Sequence, residues 1–159
     1  MNDNSQELGN SQVTVLAVSS PGGHWQQLTS IRQALDGMQV TYVTTAGDAA
    51  AAVAPAPLVT VTDCNRNEPL KLLRCAWETY RVVRNMRPDV IITTGAAPGL
   101  FAVIAGRLCG SRTVWLDSLA NSERLSLSGR VASKFVDLCI TQWHHLSSPG
   151  GPHYFGEIL

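Results

Sequence analysis

Two periods of hydrophobic and polar positions alternate along the chain. Short runs rich in Val and Ile occur at VTVLAVS (13–19), QVTYVTT (39–45), PLVTVT (57–62), DVIITT (89–94), RTVWLD (112–117) and DLCITQW (137–143), and helical patterns lie between them. Strands that alternate with helices predict βαβ units and a parallel sheet. WQQLTSIRQALDG places Trp25, Leu28, Ile31 and Leu35 at helical spacing and stops at Gly37, which predicts one helix. The longest predicted helix, EPLKLLRCAWETYRVVRNMRPD, puts Leu73, Ala76, Tyr80 and Val83 on one face and Lys71, Arg74, Glu78 and Arg81 on another. It ends at Arg87-Pro88, because the residue before a proline is pushed out of the helical region.

PGLFAVIAGRLCG opens with proline, closes on glycine and is apolar nearly all round, so it is expected under the sheet or against another surface. SLSGRVASKFV predicts a shorter helix, and AGDAAAAVAPAP (46–57) a mobile loop or short helix. The sum is an α/β chain: a doubly wound, Rossmann-like domain over 13–159 with about six parallel strands, whose ligands belong at the carboxyl ends of those strands. The polar opening MNDNSQELGNSQ has no basic or apolar targeting region and reads as a disordered lead-in over residues 1–12.

Composition narrows the function. The 159 residues suffice for one core, yet only 15% are charged, against about 25% in a typical domain, so the exterior is short of solvating groups and a covered surface is expected. Zero net charge removes the footprint of a general nucleic-acid binder. Cys64, Cys75, Cys109 and Cys139 form no C-x-x-C pair and read as reduced thiols of a cytoplasmic protein. No apolar run approaches the roughly 20 residues of a spanning helix. His144 and His145 lack metal-ligand spacing, so neither a metal nor a cofactor is expected.

Three strand-to-helix turns carry the candidate chemistry. In SSPGGHWQQL, Gly22 and Gly23 let backbone amides approach a ligand at a helix mouth, where an anion is the natural occupant; Ser20 precedes them and His24 follows, able to donate to phosphate or to take a proton. The plain alternative is a tight turn with His24 as a cap. TTGAAPG, with Gly95 and Gly99, repeats the arrangement, and close helix–strand packing is its alternative. LDSLANSERLSLSGR brings Asp117 to a strand tip, as a general base, a hydroxyl binder or an Asx-turn residue, with Arg124 placed to clamp phosphate or simply to face solvent.

Together, SSPGGHWQQL, RPDVIITTGAAPG and WLDSLANSERLSLSGRVASKFVDLCITQW resemble the oligosaccharide-biosynthesis family of acceptor-side glycosyltransferase subunits, PssD/CpsF-type proteins among them, and more remotely the N-terminal half of MurG-type GT-B enzymes. The resemblance implies half an enzyme: an acceptor-binding chain that works with a separate donor-binding subunit, a UDP-sugar and a polyprenyl-diphosphate-linked acceptor. It implies Ser20, Gly22, Gly23, Gly95, Gly99 and Arg124 at the acceptor and its phosphates, His24 or Asp117 as the base, and Tyr154, Phe155, Ile158 and Leu159 docking the partner. The usual Ser-Gly-Gly-His is interrupted here by Pro21, and Asp117 stands where glutamate is common. Peripheral contact with a membrane surface would come from the helix at 99–108 and the basic helix at 71–84. Two rival functions are a non-catalytic membrane-recruiting scaffold and a nicotinamide-dependent oxidoreductase. The latter calls for a full G-x-G-x-x-G and an acidic end to the second strand, where this chain has Gly22-Gly23 and Thr44-Thr45.

Overall fold

A computed structural model describes residues 12–65 and 67–158. The expected lead-in lies outside the described residues except for Gln12, as does Leu159. Six strands form one parallel sheet: β1 (Thr14–Val18), β2 (Gln39–Thr44), β3 (Leu58–Thr60), β4 (Val90–Thr93), β5 (Arg112–Leu116) and β6 (Leu138–Ile140). Their order is β3-β2-β1-β4-β5-β6, so the chain reverses direction across the sheet between β1 and β4. Val18 of β1 stands level with Thr93 of β4, which brings the turns that follow them side by side.

Helices cover both faces. α1 (Gly23–Ser30) and α2 (Ala50–Val53) lie on one, where Ala17, Leu28, Tyr42 and Val53 are buried together. α3 (Pro69–Met86), α4 (Ala96–Cys109) and α5 (Leu127–Ala132) lie on the other, over a larger core built from Leu16, Val43, Cys75, Ile91, Val103 and Trp115. A fully buried side chain of this kind contributes roughly 1.5–3 kcal/mol, so a continuous core on each face suffices to hold a single sheet.

The helix expected over 25–37 is divided. It begins at Gly23, ends at Ser30, and continues as a 3₁₀ turn over Arg32–Leu35. The hydroxyls of Thr29 and Ser30 both donate to the Gln26 carbonyl, and Thr29 also reaches Trp25. Side chains that bond back in this way compete with the regular ladder and favour an early stop.

The inward face of α3 also differs from expectation. Cys75, Thr79 and Val83 are buried, while Leu73 is 68% exposed and Leu70 and Trp77 stand out beside it. A helix that is apolar on two sides is oriented by fit rather than by hydrophobicity. α3 presents its small residues to α4, whose own buried positions include Ala102, Ala105 and Gly106, and its bulky ones are turned outward.

At the starting ends of the strands, one motif occurs twice. Asp89 accepts from the Thr14 amide (2.8 Å) and hydroxyl (2.7 Å) and donates its own amide back to that hydroxyl. Asp137 does the same with Thr113 and also pairs with Arg107 at 2.9 Å. Each aspartate thus stitches the strand it precedes to a neighbour, β4 to β1 and β6 to β5. Thr113 and the arginines 107 and 112 outweigh the effect of burial and hold the Asp137 carboxyl below its ordinary value; the Thr14 amide does so for Asp89. Beyond β6 the chain returns along the sheet edge, where His153 donates to Cys139 and accepts from Thr141, each at 2.8 Å, forming one parallel bridge with Ile140.

Candidate functional site

The glycine turn after β1 is open. Gly22 has φ +78°, a conformation that strains residues with a Cβ, and apart from the adjoining chain no described atom lies within 4 Å of where a Cβ would stand at Gly22 or Gly23. α1 begins here, and the amides of its first turn have no partner within the helix, so they and the positive end of the helix dipole face the opening. Ser20 and His24 flank it, both half-buried.

His24 ties this turn to the next. Its Nδ1 lies 2.7 Å from the Thr94 carbonyl oxygen, and the Thr94 hydroxyl donates to the His24 carbonyl, also at 2.7 Å. A Cβ on Gly95 would come within 3.0 Å of the His24 ring. Gly99 has a different environment: it is buried, and a Cβ there would overlap Thr93 Oγ1, so its smallness lets α4 pack against β4.

The third turn joins the same cluster through α1, because Gln27 Nε2 donates to the Asp117 carbonyl at 3.0 Å. The Asp117 carboxylate is 2% exposed and has four donors. Oδ1 accepts from Trp115 Nε1 (3.0 Å) and Ser126 Oγ (2.7 Å), and Oδ2 from the Ser126 amide (3.0 Å) and Asn121 Nδ2 (3.2 Å). Ser126 in turn caps α5 by accepting from the Gly129 amide. With all four contacts made, the carboxyl group folds residues 117–126 back on themselves. Trp143 Nε1, donating to the Leu119 carbonyl, and His145, 2.7 Å from the Ser122 carbonyl, hold that loop from outside. Arg124 is exposed at its tip.

Two hollows flank the joined turns. One, of about 590 Å³, lies over the first turns of α4 and α5 and is lined by Cys64, Asn65, Asn67, Leu72, Ala97 and Ser128. The other, of about 260 Å³, lies between α1 and residues 118–120 and is bordered by Gly23, Gln27 and Ile158. Ile158 is held there by its amide, which donates to Gln142 Oε1 at 3.1 Å. Tyr154 packs edge-on against His144, and Phe155 is exposed beside His153. Burial pushes the Cys75 and Cys139 thiols up to about 12, so neither is a thiolate nucleophile at neutral pH. Among the described residues no three His, Cys, Asp or Glu side chains converge on a metal position, and no helix is long and apolar enough to cross a membrane.

The motifs singled out in the sequence therefore meet at one end of the sheet, with Asp117 braced rather than free. The residues that do the joining were not singled out. Thr94 and Ser126 lie within the quoted turns, where a hydroxyl residue beside a helix start is a signal of capping. Gln27 has no local signal, since its partner is set by the order of the strands, whereas Trp115 reaches Asp117 only two residues on.

A parallel sheet with glycine turns at the reversal between β1 and β4 defines a Rossmann-like α/β fold, similar to one half of a GT-B glycosyltransferase. MurG from Acinetobacter baumannii superimposes with a TM-score of 0.73 at 14% identity, over 91% of this chain and 45% of that one. A putative UDP-N-acetylglucosamine 2-epimerase from Listeria monocytogenes gives 0.65 at 9% identity, over 83% and 39%. At these identities the likeness is one of fold. Residues 59–158 match the family described as "Oligosaccharide biosynthesis protein Alg14 like", and the chain belongs to that family. It is 31% identical to the UDP-N-acetylglucosamine transferase subunit ALG14 of Eremothecium gossypii over 47% of this chain and 39% of that protein. The chain thus spans less than half the length of these relatives.

Proposed function

We propose that this chain is the acceptor-binding subunit of a two-component UDP-sugar glycosyltransferase that acts on a polyprenyl-diphosphate-linked saccharide at a membrane surface. The observation that carries the reading is the convergence of an open glycine turn, a half-buried histidine and two further strand-end turns in a chain of the Alg14-like family. The name of the E. gossypii relative, a transferase subunit, supports a separate donor-binding partner.

In this reading the amides of the Gly22-Gly23 turn and the mouth of α1 receive the acceptor's diphosphate, with Ser20 and Arg124 at its margins. His24 takes the proton from the acceptor hydroxyl as that oxygen attacks the anomeric carbon of the UDP-sugar; the bond from that carbon to the phosphate oxygen breaks, and UDP departs with the partner. The four donors on Asp117 favour a positioning role for it: the carboxylate shapes the 117–126 loop, and the base is His24.

The outer face of α3, α4 and α5 supports the membrane seat. Leu70, Leu73, Trp77, Leu108, Leu127 and Val131 are exposed on it. These three helices carry six of the chain's cations; Lys71, Arg74 and Arg107 pair with Glu68, Glu78 and Asp137, while Arg81, Arg84 and Arg130 form no ion pair among the described residues. Exposed apolar side chains among cations fit an anionic bilayer, where each cation near the surface contributes about 1 kcal/mol. The hollow lined by Leu72, Ala97 and Ser128 lies over the first turns of α4 and α5, on this same helical face.

The test is reconstitution with the donor subunit on vesicles that carry the lipid-linked acceptor. His24→Ala is expected to lower kcat by about 10²- to 10⁴-fold with vesicle binding intact. Leu73→Glu combined with Trp77→Glu is expected to abolish flotation with anionic vesicles. Full turnover by His24→Ala would overturn the catalytic reading in favour of a recruiting scaffold.

A further inference from the structure

Thr94 is fully buried at the end of β4, and its carbonyl and hydroxyl both meet His24. The 2.7 Å contact at Nδ1 is to a carbonyl oxygen, which only accepts, so Nδ1 carries the proton. In the neutral ring the lone pair is then on Nε2 alone. The Thr94 hydroxyl closes the pair from the other side by donating to the His24 carbonyl, which fixes the first turn of α1 against the end of β4. Gly95 completes the seat. Its φ of +120° suits glycine, a Cβ there would stand 3.0 Å from His24 Cε1 and 3.2 Å from Nδ1, and Trp115 stands behind the same position at 3.6 Å. The Gly95 amide is itself held by Thr93 Oγ1 at 3.1 Å.

We infer that Thr94 and Gly95 are positioning residues that lock His24 in its Nδ1–H tautomer and make Nε2 the one ring nitrogen able to accept a proton. The catalytic consequence rests on the reading of His24 as the base; the tautomer does not. An unconstrained neutral histidine favours the opposite form, Nε2–H, so the lock has a spectroscopic signature.

Nitrogen-15 correlation spectra of the histidine-labelled chain, recorded in alkaline buffer where imidazole rings are neutral and assigned by loss of the signal in His24→Gln, test it directly. The expected pattern is a protonated Nδ1 and a bare Nε2; an Nε2–H ring, or an equal mixture, overturns the inference. Gly95→Ala is expected to displace the ring and yield a mixture. In the reconstituted enzyme, Thr94→Val should lower kcat about tenfold with KM unchanged, and Thr94→Ser should restore it. An Nδ1–H ring in a chain whose His24→Ala variant keeps full turnover sinks the base assignment and leaves the lock standing. An Nε2–H ring with turnover lost in His24→Ala does the reverse.

Discussion

The two ends of the sheet are built differently. At the starting ends, Asp89 with Thr14 and Asp137 with Thr113 saturate one another's amides, hydroxyls and carboxylates, and Arg107 adds charge. At the finishing ends, Gly22 and Gly23 lie open, and the buried hydroxyls of Ser19 and Thr44 have no partner among the described residues. Buried polar groups are nearly always satisfied, so the unmatched hydroxyls make this end the less stable of the two. One end locks the strands together; the other leaves glycine turns open and hydroxyls unmatched.

The contrast can be broken from either side. The largest effect is expected at Asp117. Asp117→Asn puts an amide nitrogen where two donors point, which costs about 3 kcal/mol at two unsatisfied contacts. Urea unfolding would read this loss, and hydrogen exchange should show residues 117–126 opening while the Thr14 and Thr113 amides stay slow. Gly99→Ala should cost about 2 kcal/mol, because the new methyl collides with Thr93 and α4 must lift from β4; the melting temperature measures it.

At the stitched end, Asp137→Ala should cost about 1.5 kcal/mol at pH 7 by leaving the Thr113 amide and hydroxyl without their charged acceptor. The sign of its pH dependence follows from the depressed carboxyl. The wild-type advantage is fully present above the ordinary aspartate pKa and is lost as the pH falls through the lower folded value, so the two unfolding curves should converge in acid. Smallest is Gly22→Ala, about 1 kcal/mol from the positive φ alone, since the space around it is empty. Its larger effect is expected on acceptor affinity. A Gly22→Ala variant that binds acceptor normally would show that the open turn is not the anion's seat.

Much of this contrast was legible in the sequence, and the part that was not has a physical cause. Six Val- and Ile-rich runs marked six strands because strands buried on both faces read as continuous apolar stretches. Gly22, Gly23 and His24 were legible as a turn opening a helix, and the structure joins them to Gly95 and Asp117. The bracing of Asp117 was not readable, because its contacts with Asn121 and Ser126 depend on how the 117–126 loop closes. The facing of α3 was misjudged for a related reason. Leu73 is more hydrophobic than Cys75, but packing distance to α4 decided which of them went inside. Gly99 shows the same limit in reverse: in the sequence it matches Gly95, and only its contact with Thr93 separates a packing glycine from one that admits a histidine ring.

The short rung that His153 adds beside Ile140 bears on how the molecule associates. A parallel sheet ordinarily ends in a row of unpaired amides and carbonyls that another chain can extend. Here the far border is occupied by the protein's own backbone, and the opposite border, β3, offers only Leu58–Thr60. Companions are thereby steered away from strand addition and toward the helical surface and the finishing ends of the strands.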